Sequence, residues 1–583
     1  MARRRPPRAL LLGLLAGGLA LGCAAGPARP PLAPPLWHDP DRQPVARKPA
    51  ARFAGVVADA LDHTVLEPLA NVLLPAPAGE ARNVNALDEV PDSSWFQNRI
   101  GLFPRSPEET ARGACTDPPL DGTAGPWRIS SAKTEGITPG FFLRTPDGRR
   151  YLLKVDDSTH PERGTAADAI ASRIYHAAGY HAPCNEVVLF DPRRLEIAPG
   201  AHAEDGRGRR RPFTARDLAL VISRAVRHPD GRVRMIASRL LPGEPLGPHA
   251  LEGVRPDDPN DVVPHEHRRE LRGLRLLAAW LDHSDVREAN SLDTWVEEAG
   301  HHYVRHYQLD FGDAFGAQFS SDALARRTGH AYFLDVGQIA VDFLTLGLYP
   351  RPWNRVRTSP GAEIFGYFGW REFVASAWRP IYPHPAFERM TARDALWMVR
   401  ILVRFSDDHI RALVRTGRLT SPAAEDFLVT ALRERRDRIA REYLTRFVPL
   451  GRVWLTPAGA RQRLCFEDLA IRAAGVAPER VTYRLRLLAG PRQDRELARW
   501  QGAPDPAQPD VRCVPLPWDH ARPADLVSAS ARADDPRRFA QMHIAVQQGA
   551  ATRPLVLVAG LYDLGPGRGF VLVSLDRSPR AGR

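Results

Sequence analysis

Between Trp127 and Phe190 the hydrophobic period of the chain changes twice, and no all-α or all-β fold accommodates that order. The run "WRISSAKTEGITPGFFLRTPDGRRYLLKVDD" predicts a strand, a glycine-containing turn, a second strand, a "TPDGRR" hairpin turn and a short buried strand ending near Lys154. From Pro161 to Ala178, "PERGTAADAIASRIYHAA" takes helical spacing, Gly179 supplies the stop, and "NEVVLF" predicts the next strand. Further β-structure is expected at "DLALVISRAV" and "GRVRMIASRLL". From about His265 to Phe447 the pattern is mainly helical. The chain therefore reads as α+β, with a small β-rich lobe over residues 120–250 and a larger α-rich lobe over 251–450.

Beyond "FVPLGRVWL" the texture changes again. "RVTYRLRLLAG", "AQMHIAVQQG" and "RPLVLVAGLYDL" alternate between Pro, Asp and Gly turns, so residues 451–583 are predicted to form a separate β-rich, sandwich-like domain. Ahead of the β-rich lobe, residues 53–119 form an extension. Its "AGVVADALDHTVLEPLANVLL" segment, Ala54–Leu74, is helical in spacing, and its "ARNVNALDEVPDSSWFQNRIG" segment suits an ordered loop packed on a domain face.

The first 23 residues carry an arginine-rich start, an apolar run from Ala9 to Gly22, and then Cys23 among small residues. That order is an export signal. Gly22-Cys23 fits a bacterial lipobox in which Cys23 receives the lipid, with an ordinary cleaved signal or a retained anchor as alternatives. Residues 24–52, rich in Pro, Ala and Arg, suit a flexible tether from a membrane. Four further cysteines remain, Cys115, Cys184, Cys465 and Cys513. Proximity along the chain favours pairing Cys115 with Cys184 and Cys465 with Cys513, and buried free thiols are the other reading.

The formal charge is +12, and every one of the 80 basic residues is arginine except Lys48, Lys133 and Lys154. The arginines are dispersed rather than blocked, so a nucleic-acid-binding surface is not indicated. No GxSxG elbow, CxxC pair or GxxxxGK[ST] loop is present, which removes the sequence basis for hydrolase, zinc and P-loop readings. His265, Glu266 and His267 lack the i, i+4 geometry of a helical HExxH metal site.

Chemistry concentrates in "LDHSDVREANSLDTWVEEAGHHYVRHYQLDFGDAFG", where His283, Asp285 and Asn290 fit HxDxxxxN and Asp310-Phe311-Gly312 reads DFG after a predicted strand. In this the chain resembles the protein-kinase-like superfamily, in its atypical branches near aminoglycoside phosphotransferases and HipA-type kinases, over about residues 120–447. From "NVNALDEVPDSSWF" to DFG it is also similar to uncharacterised bacterial envelope proteins of that superfamily. The resemblance implies a two-lobed fold, ATP or another nucleotide with Mg2+ between the lobes, and transfer of a phosphoryl group. It implies Asp285 as catalytic base within the His283 motif, and Asn290 and Asp310 as metal ligands. Lys154, at a buried strand end just before a helix, stands where such a fold places its phosphate-binding lysine. Asp168 and Glu162 are the two acids available to pair with it. "SAKTEGITPGF" takes the position of the glycine-rich loop, with Gly136 and Gly140 freeing backbone N–H groups and Lys133 and Thr138 close by. "MIASRLLPGEPLGP" resembles the linker between lobes, bent at Gly243 and Pro245. The acceptor is left open among an envelope protein, a sugar and a lipid head. The alternative is a pseudokinase scaffold.

Overall fold

The computed structural model describes residues 29–52, 79–133, 138–156, 160–204, 209–316, 321–459, 461–489, 493–517, 522–526, 532–549, 551, 553–565 and 567–578. The readings made above for residues 1–23 with Cys23, for Ala54–Leu74 and for Gly136 lie outside them.

The first sheet contains β1 (Trp127–Ala132), β2 (Gly140–Arg144), β3 (Arg150–Lys154), β4 (Asn185–Phe190), β5 (Leu195–Glu204), β6 (Arg210–Pro212), β7 (Val226–Arg227) and β8 (Val233–Arg239). Its order is β4-β8-β3-β2-β1-β5-β6, with β7 attached to β8. Trp127, Ile129, Phe141, Leu143, Leu153 and Met235 point from these strands into one core. Gly140 is required at the start of β2, because a Cβ there would stand 2.2 Å from the Leu153 carbonyl oxygen.

Two helices precede or cross this sheet, α1 (Pro107–Arg112) and α2 (Arg163–Ala178). The Asp156 carboxylate accepts the Thr165 backbone N–H at 2.7 Å and its hydroxyl at 3.0 Å, which satisfies a donor of the first turn of α2. The helix ends at Gly179, with φ at 129°, where a Cβ would collide with Phe96 at 2.2 Å.

The expected strand at "DLALVISRAV" is instead α3 (Ala215–Arg224), and only β7 after it is extended. Thr214 and Asp217 form a reciprocal capping box at its start, and Val221 and Ile222 bury one side. That cap outweighs the β-branched residues that suggested a strand.

A short strand, β9 (Glu244–Gly247), leads to α4 (Arg269–Leu281) and to the hairpin β10 (Ser291–Glu298) and β11 (His301–Gln308); β11-β10-β9 form a three-stranded sheet. Then follow α5 (Asp322–Arg327), α6 (Val336–Thr345), α7 (Pro385–Glu388), α8 (Ala392–Leu402), α9 (Asp407–Arg415), α10 (Pro422–Leu444) and α11 (Leu469–Ala473). Leu274, Leu277 and Leu281 on α4 recur at helical spacing and meet Trp397 of α8 and Leu428 and Leu432 of α10 in the largest core, which also takes α2.

After α10 come β12 (Leu450–Leu455), β13 (Arg463–Asp468), β14 (Val481–Ala489), β15 (Arg495–Gly502), β16 (Val511–Pro515), β17 (Phe539–Gln548), β18 (Leu555–Asp563) and β19 (Phe570–Asp576). They make a three-stranded sheet, β12-β13-β16, and a five-stranded sheet, β15-β14-β17-β18-β19. Leu464 and Phe466 from the first share a core with Leu485 and Ile544 from the second. This region has a core of its own and also meets the helices, since Leu469 and Ala470 of α11 belong to the helical core. Asp88 adds a charged tie: its carboxylate faces Arg269 at 2.6 Å, Arg393 at 2.8 Å and Arg577 at 3.6 Å, and its carbonyl accepts from Arg400.

Residues 29–52 are not a free tether. Val45 is buried with Leu246, Trp295 and Val304, and the Asp41 carboxylate accepts the Ser94 N–H and hydroxyl. A Pro- and Arg-rich composition suggests a linker, but one buried carboxylate with three partnering bonds fixes it. Disulfides join Cys115 to Cys184 and Cys465 to Cys513.

Candidate functional site

Lys154 ends β3, where its register partner on β2 is Gly140 and on β8 is Ile236. Its ammonium lies 2.7 Å from Asp168 Oδ2 and 3.0 Å from Asp310 Oδ1. Burial favours the neutral amine, but the two carboxylates outweigh it and hold the ammonium form above its ordinary range. Asp310 is shifted down, chiefly by Lys154, whereas burial pushes Asp168 up against the pull of that lysine. Of the two acids considered for Lys154, Asp168 on α2 is the partner. Glu162 turns away: its carboxylate accepts the N–H and hydroxyl of Thr420, both at 3.0 Å. Glu162 holds φ at 73° ahead of the first turn, which directs its side chain to a different element.

Asp310 itself has φ at 55°, a left-handed conformation that aspartate tolerates better than most residues. Its side chain is 52% exposed, while Phe311 is fully buried against Tyr175 of α2. The Phe311 N–H donates to Asp168 Oδ1 at 2.9 Å. One carboxylate thus holds both Lys154 and the backbone beside Asp310.

The residues of the HxDxxxxN motif follow α4. Asn290 donates its side-chain amide to the Asp285 carbonyl at 2.7 Å and to its carboxylate at 3.0 Å. With the amide N–H groups committed, the Asn290 side-chain carbonyl is the atom left for a ligand. Arg287 approaches the other Asp285 oxygen at 2.9 Å. The strands β10 and β11 pair residue for residue from Ser291 with Gln308 to Glu298 with His301, and the Leu309 N–H donates to the Asn290 carbonyl at 2.9 Å. The long chain between Asn290 and Asp310 is therefore folded outward, and its two ends meet.

Asp313, one residue beyond DFG, is a residue the sequence gives no means of separating from a surface acid. Its Oδ2 accepts the Ser284 N–H at 2.9 Å, the Ser284 hydroxyl at 3.0 Å and the Asp285 N–H at 2.8 Å. Its other oxygen lies 3.2 Å from His283 Nε2, and His283 Nδ1 meets the Tyr175 hydroxyl at 2.6 Å. His283 is buried, so it positions the loop through Asp313 and α2 rather than reaching a substrate. Burial lowers the His283 pKa, but Asp313 overrides it and shifts the imidazole up. Burial and the Asp313 charge raise Asp285 to about 7, against the opposing pull of Arg287 and Asn290.

The predicted loop between β1 and β2 contributes less directly. The Lys133 ammonium donates to the Thr138 carbonyl at 3.1 Å, and its charge also favours ionised Asp310. Gly140 is a strand residue rather than a free loop donor, selected by the close approach of β3.

His265 of the HEH run pairs with Asp261 at 2.7 Å and with the Ala250 carbonyl. A different buried group, His249 just after β9, Asp293 on β10 and His306 on β11, places ligand-type atoms within 4.8 Å of one another. Asp293 is already bonded to His306 Nδ1 at 2.6 Å and to Arg255 at 2.9 Å, and Trp95 stacks on His306 at 3.6 Å. A fixed guanidinium on the same carboxylate opposes a cation, so this cluster seats the Trp95 loop.

No family model matches the chain, and neither does any curated protein. Among solved structures, the chain is similar to the crystal structure of the Golgi casein kinase with Mn/ADP bound, at 13% identity and a TM-score of 0.22 over 49% of this chain and 74% of that one. The crystal structure of the Golgi casein kinase matches at the same identity and TM-score over 48% of this chain.

Proposed function

We propose that the chain is a phosphotransferase of two-lobed, kinase-like design that uses a magnesium nucleotide. The observation that carries this reading is the contact of Lys154 with both Asp168 and Asp310, beside a loop in which Asn290 clamps Asp285. Asp310 keeps a half-exposed carboxylate and Asn290 a side-chain carbonyl, hard oxygen donors that suit magnesium. A bound magnesium ion would neutralise phosphate charge.

In this reading the Lys154 ammonium, always charged, binds phosphate oxygens, and Asp168 holds it in place. The Asp285 carboxylate, raised to about 7, takes the proton from an acceptor hydroxyl. Asn290 and Arg287 fix the rotamer of Asp285, while Asp313 fixes the backbone beneath it. The acceptor is proposed to belong to the cell envelope, a reading supported by two disulfides and the export-type start of the sequence.

The test is titration of the purified protein with Mg-ATP and other magnesium nucleotides, following thermal stability and phosphoryl release for wild type, Asp310→Ala and Asp285→Ala. Turnover lost in both variants supports the reading. A wild type with neither a nucleotide-dependent shift nor turnover ends it. Binding lost in Asp310→Ala but kept in Asp285→Ala, without turnover anywhere, would leave a nucleotide-responsive scaffold.

A further inference from the structure

The four most exposed large apolar side chains among the described residues lie together, on α6 and just after it: Leu346 at 86%, Leu348 at 83%, Phe343 at 80% and Leu344 at 79%. Phe333 and Ile339 extend the same surface, each about half exposed. Scattered apolar residues on a surface are ordinary, but a contiguous run at this exposure calls for a covering phase.

The charges around the run say which phase. Its three acids are already engaged: Asp322 with Arg326 and Tyr367, Asp335 capping α6 at Gln338, and Asp342 with Arg351. Arg327, Arg355 and Arg357 have no carboxylate partner among the described residues, and Arg355 and Arg357 are exposed. Apolar side chains on a short helix flanked by unbalanced arginines match the interface of an anionic bilayer, apolar below and negative above. No helix among the described residues is long and apolar enough to cross a membrane.

We propose that residues 333–349 dock into an anionic lipid bilayer with α6 in its interfacial plane. The root of this segment adjoins the catalytic loop. The Phe333 N–H donates to the Ile381 carbonyl, the Ile381 N–H donates to the Ser284 carbonyl at 2.9 Å, and the Trp378 indole donates to Asp282 at 2.8 Å. Docking therefore ties the Ser284 backbone, next to Asp285, to the membrane-bound segment through two hydrogen bonds, and the acceptor inferred with it is a hydroxyl presented at that surface. The statement about the acceptor rests on the phosphotransfer reading, whereas the docking does not.

The test uses the full chain with Cys23→Ala, carrying an environment-sensitive fluorophore at Leu346→Cys or, as a control, at Ser223→Cys. Vesicles are of phosphatidylcholine alone or with phosphatidylglycerol, with and without bromine-labelled lipid. The expected result is a blue shift and bromine quenching at position 346 only, stronger with phosphatidylglycerol and weakened by salt. Phe343→Asp with Leu344→Asp should remove most of the bromine quenching at position 346, and Arg355→Glu with Arg357→Glu should abolish its dependence on phosphatidylglycerol. Asp310→Ala should bind as the parent does, which separates docking from phosphotransfer. A probe that stays in water while the protein is vesicle-bound overturns the proposal. So does a probe shielded without lipid, whether in the monomer by another part of the chain or, with rising concentration, by a second copy.

Discussion

The Lys154 ammonium lies 2.7 Å from the Asp168 carboxylate at a point where neither side chain has much contact with water. Breaking such a pair from one side leaves the other charge stranded, so Lys154→Ala should cost about 3–5 kcal/mol of stability, read by denaturant unfolding. Asp168→Ala should retain the fold better, because Asp310 can still hold Lys154, yet it releases the Phe311 N–H. Phosphoryl release should fall by roughly tenfold or more in that variant, with partial recovery in Asp168→Glu.

Asp285, raised to about 7 by burial and by Asp313, gives a pH signature in the metal-free protein. A carboxyl whose folded pKa exceeds its unfolded one is destabilising when ionised. The penalty is absent below about pH 4 and complete above about pH 7. Asp285→Asn should therefore raise Tm at pH 8 and change it little at pH 4.5, as calorimetry at the two pH values will show.

Asp313→Asn should move the acidic limb of any phosphoryl-transfer profile to lower pH, since removing a neighbouring negative charge makes Asp285 ionise more readily. It should also slow the reaction, because the Ser284 and Asp285 N–H groups lose a charged acceptor. A pH–rate series on both proteins separates the two effects.

Asp88 faces four arginines from three parts of the chain. Asp88→Asn should cost about 3–5 kcal/mol, because buried guanidinium groups lose their counter-charge. Burial opposes ionisation of Asp88, but the arginines outweigh it and depress its pKa strongly. The contribution is thus complete above the unfolded value near 4 and fades only as pH falls below it, so chemical denaturation at pH 7 and pH 3 should show the wild-type advantage shrinking.

The juxtapositions that depend on type and spacing were legible in the sequence: Lys154 at a strand end near Asp310, and Asp285 beside the Asn290 five residues on. The partner of Lys154 was not. The helix α2 is buried on nearly every side, so it lacks the amphipathic period that would have told Asp168 from Glu162. Asp313 escaped because its role is to bind backbone N–H groups of a loop about thirty residues earlier, a relationship with no local signature. The segment Ala215–Arg224 reads as a strand for a different reason: Val221 and Ile222 favour strands, and the Thr214–Asp217 cap that decides the matter is a two-residue signal. Residues 29–52 read as a tether from composition, which reports average behaviour and not the buried Asp41 and Val45 that hold them.

The hairpin from Ser291 to Gln308 places its feet, rather than its tip, at Asn290 and Asp310. Its tip, at Ala299 and Gly300, turns through positive φ well beyond the paired feet. Residues added or removed there in matched pairs would lengthen or shorten both arms together and leave the feet in register. The number of residues separating the two motifs is then a spacer without chemical meaning, and a search that demands a fixed interval between them would pass over chains built on the same plan.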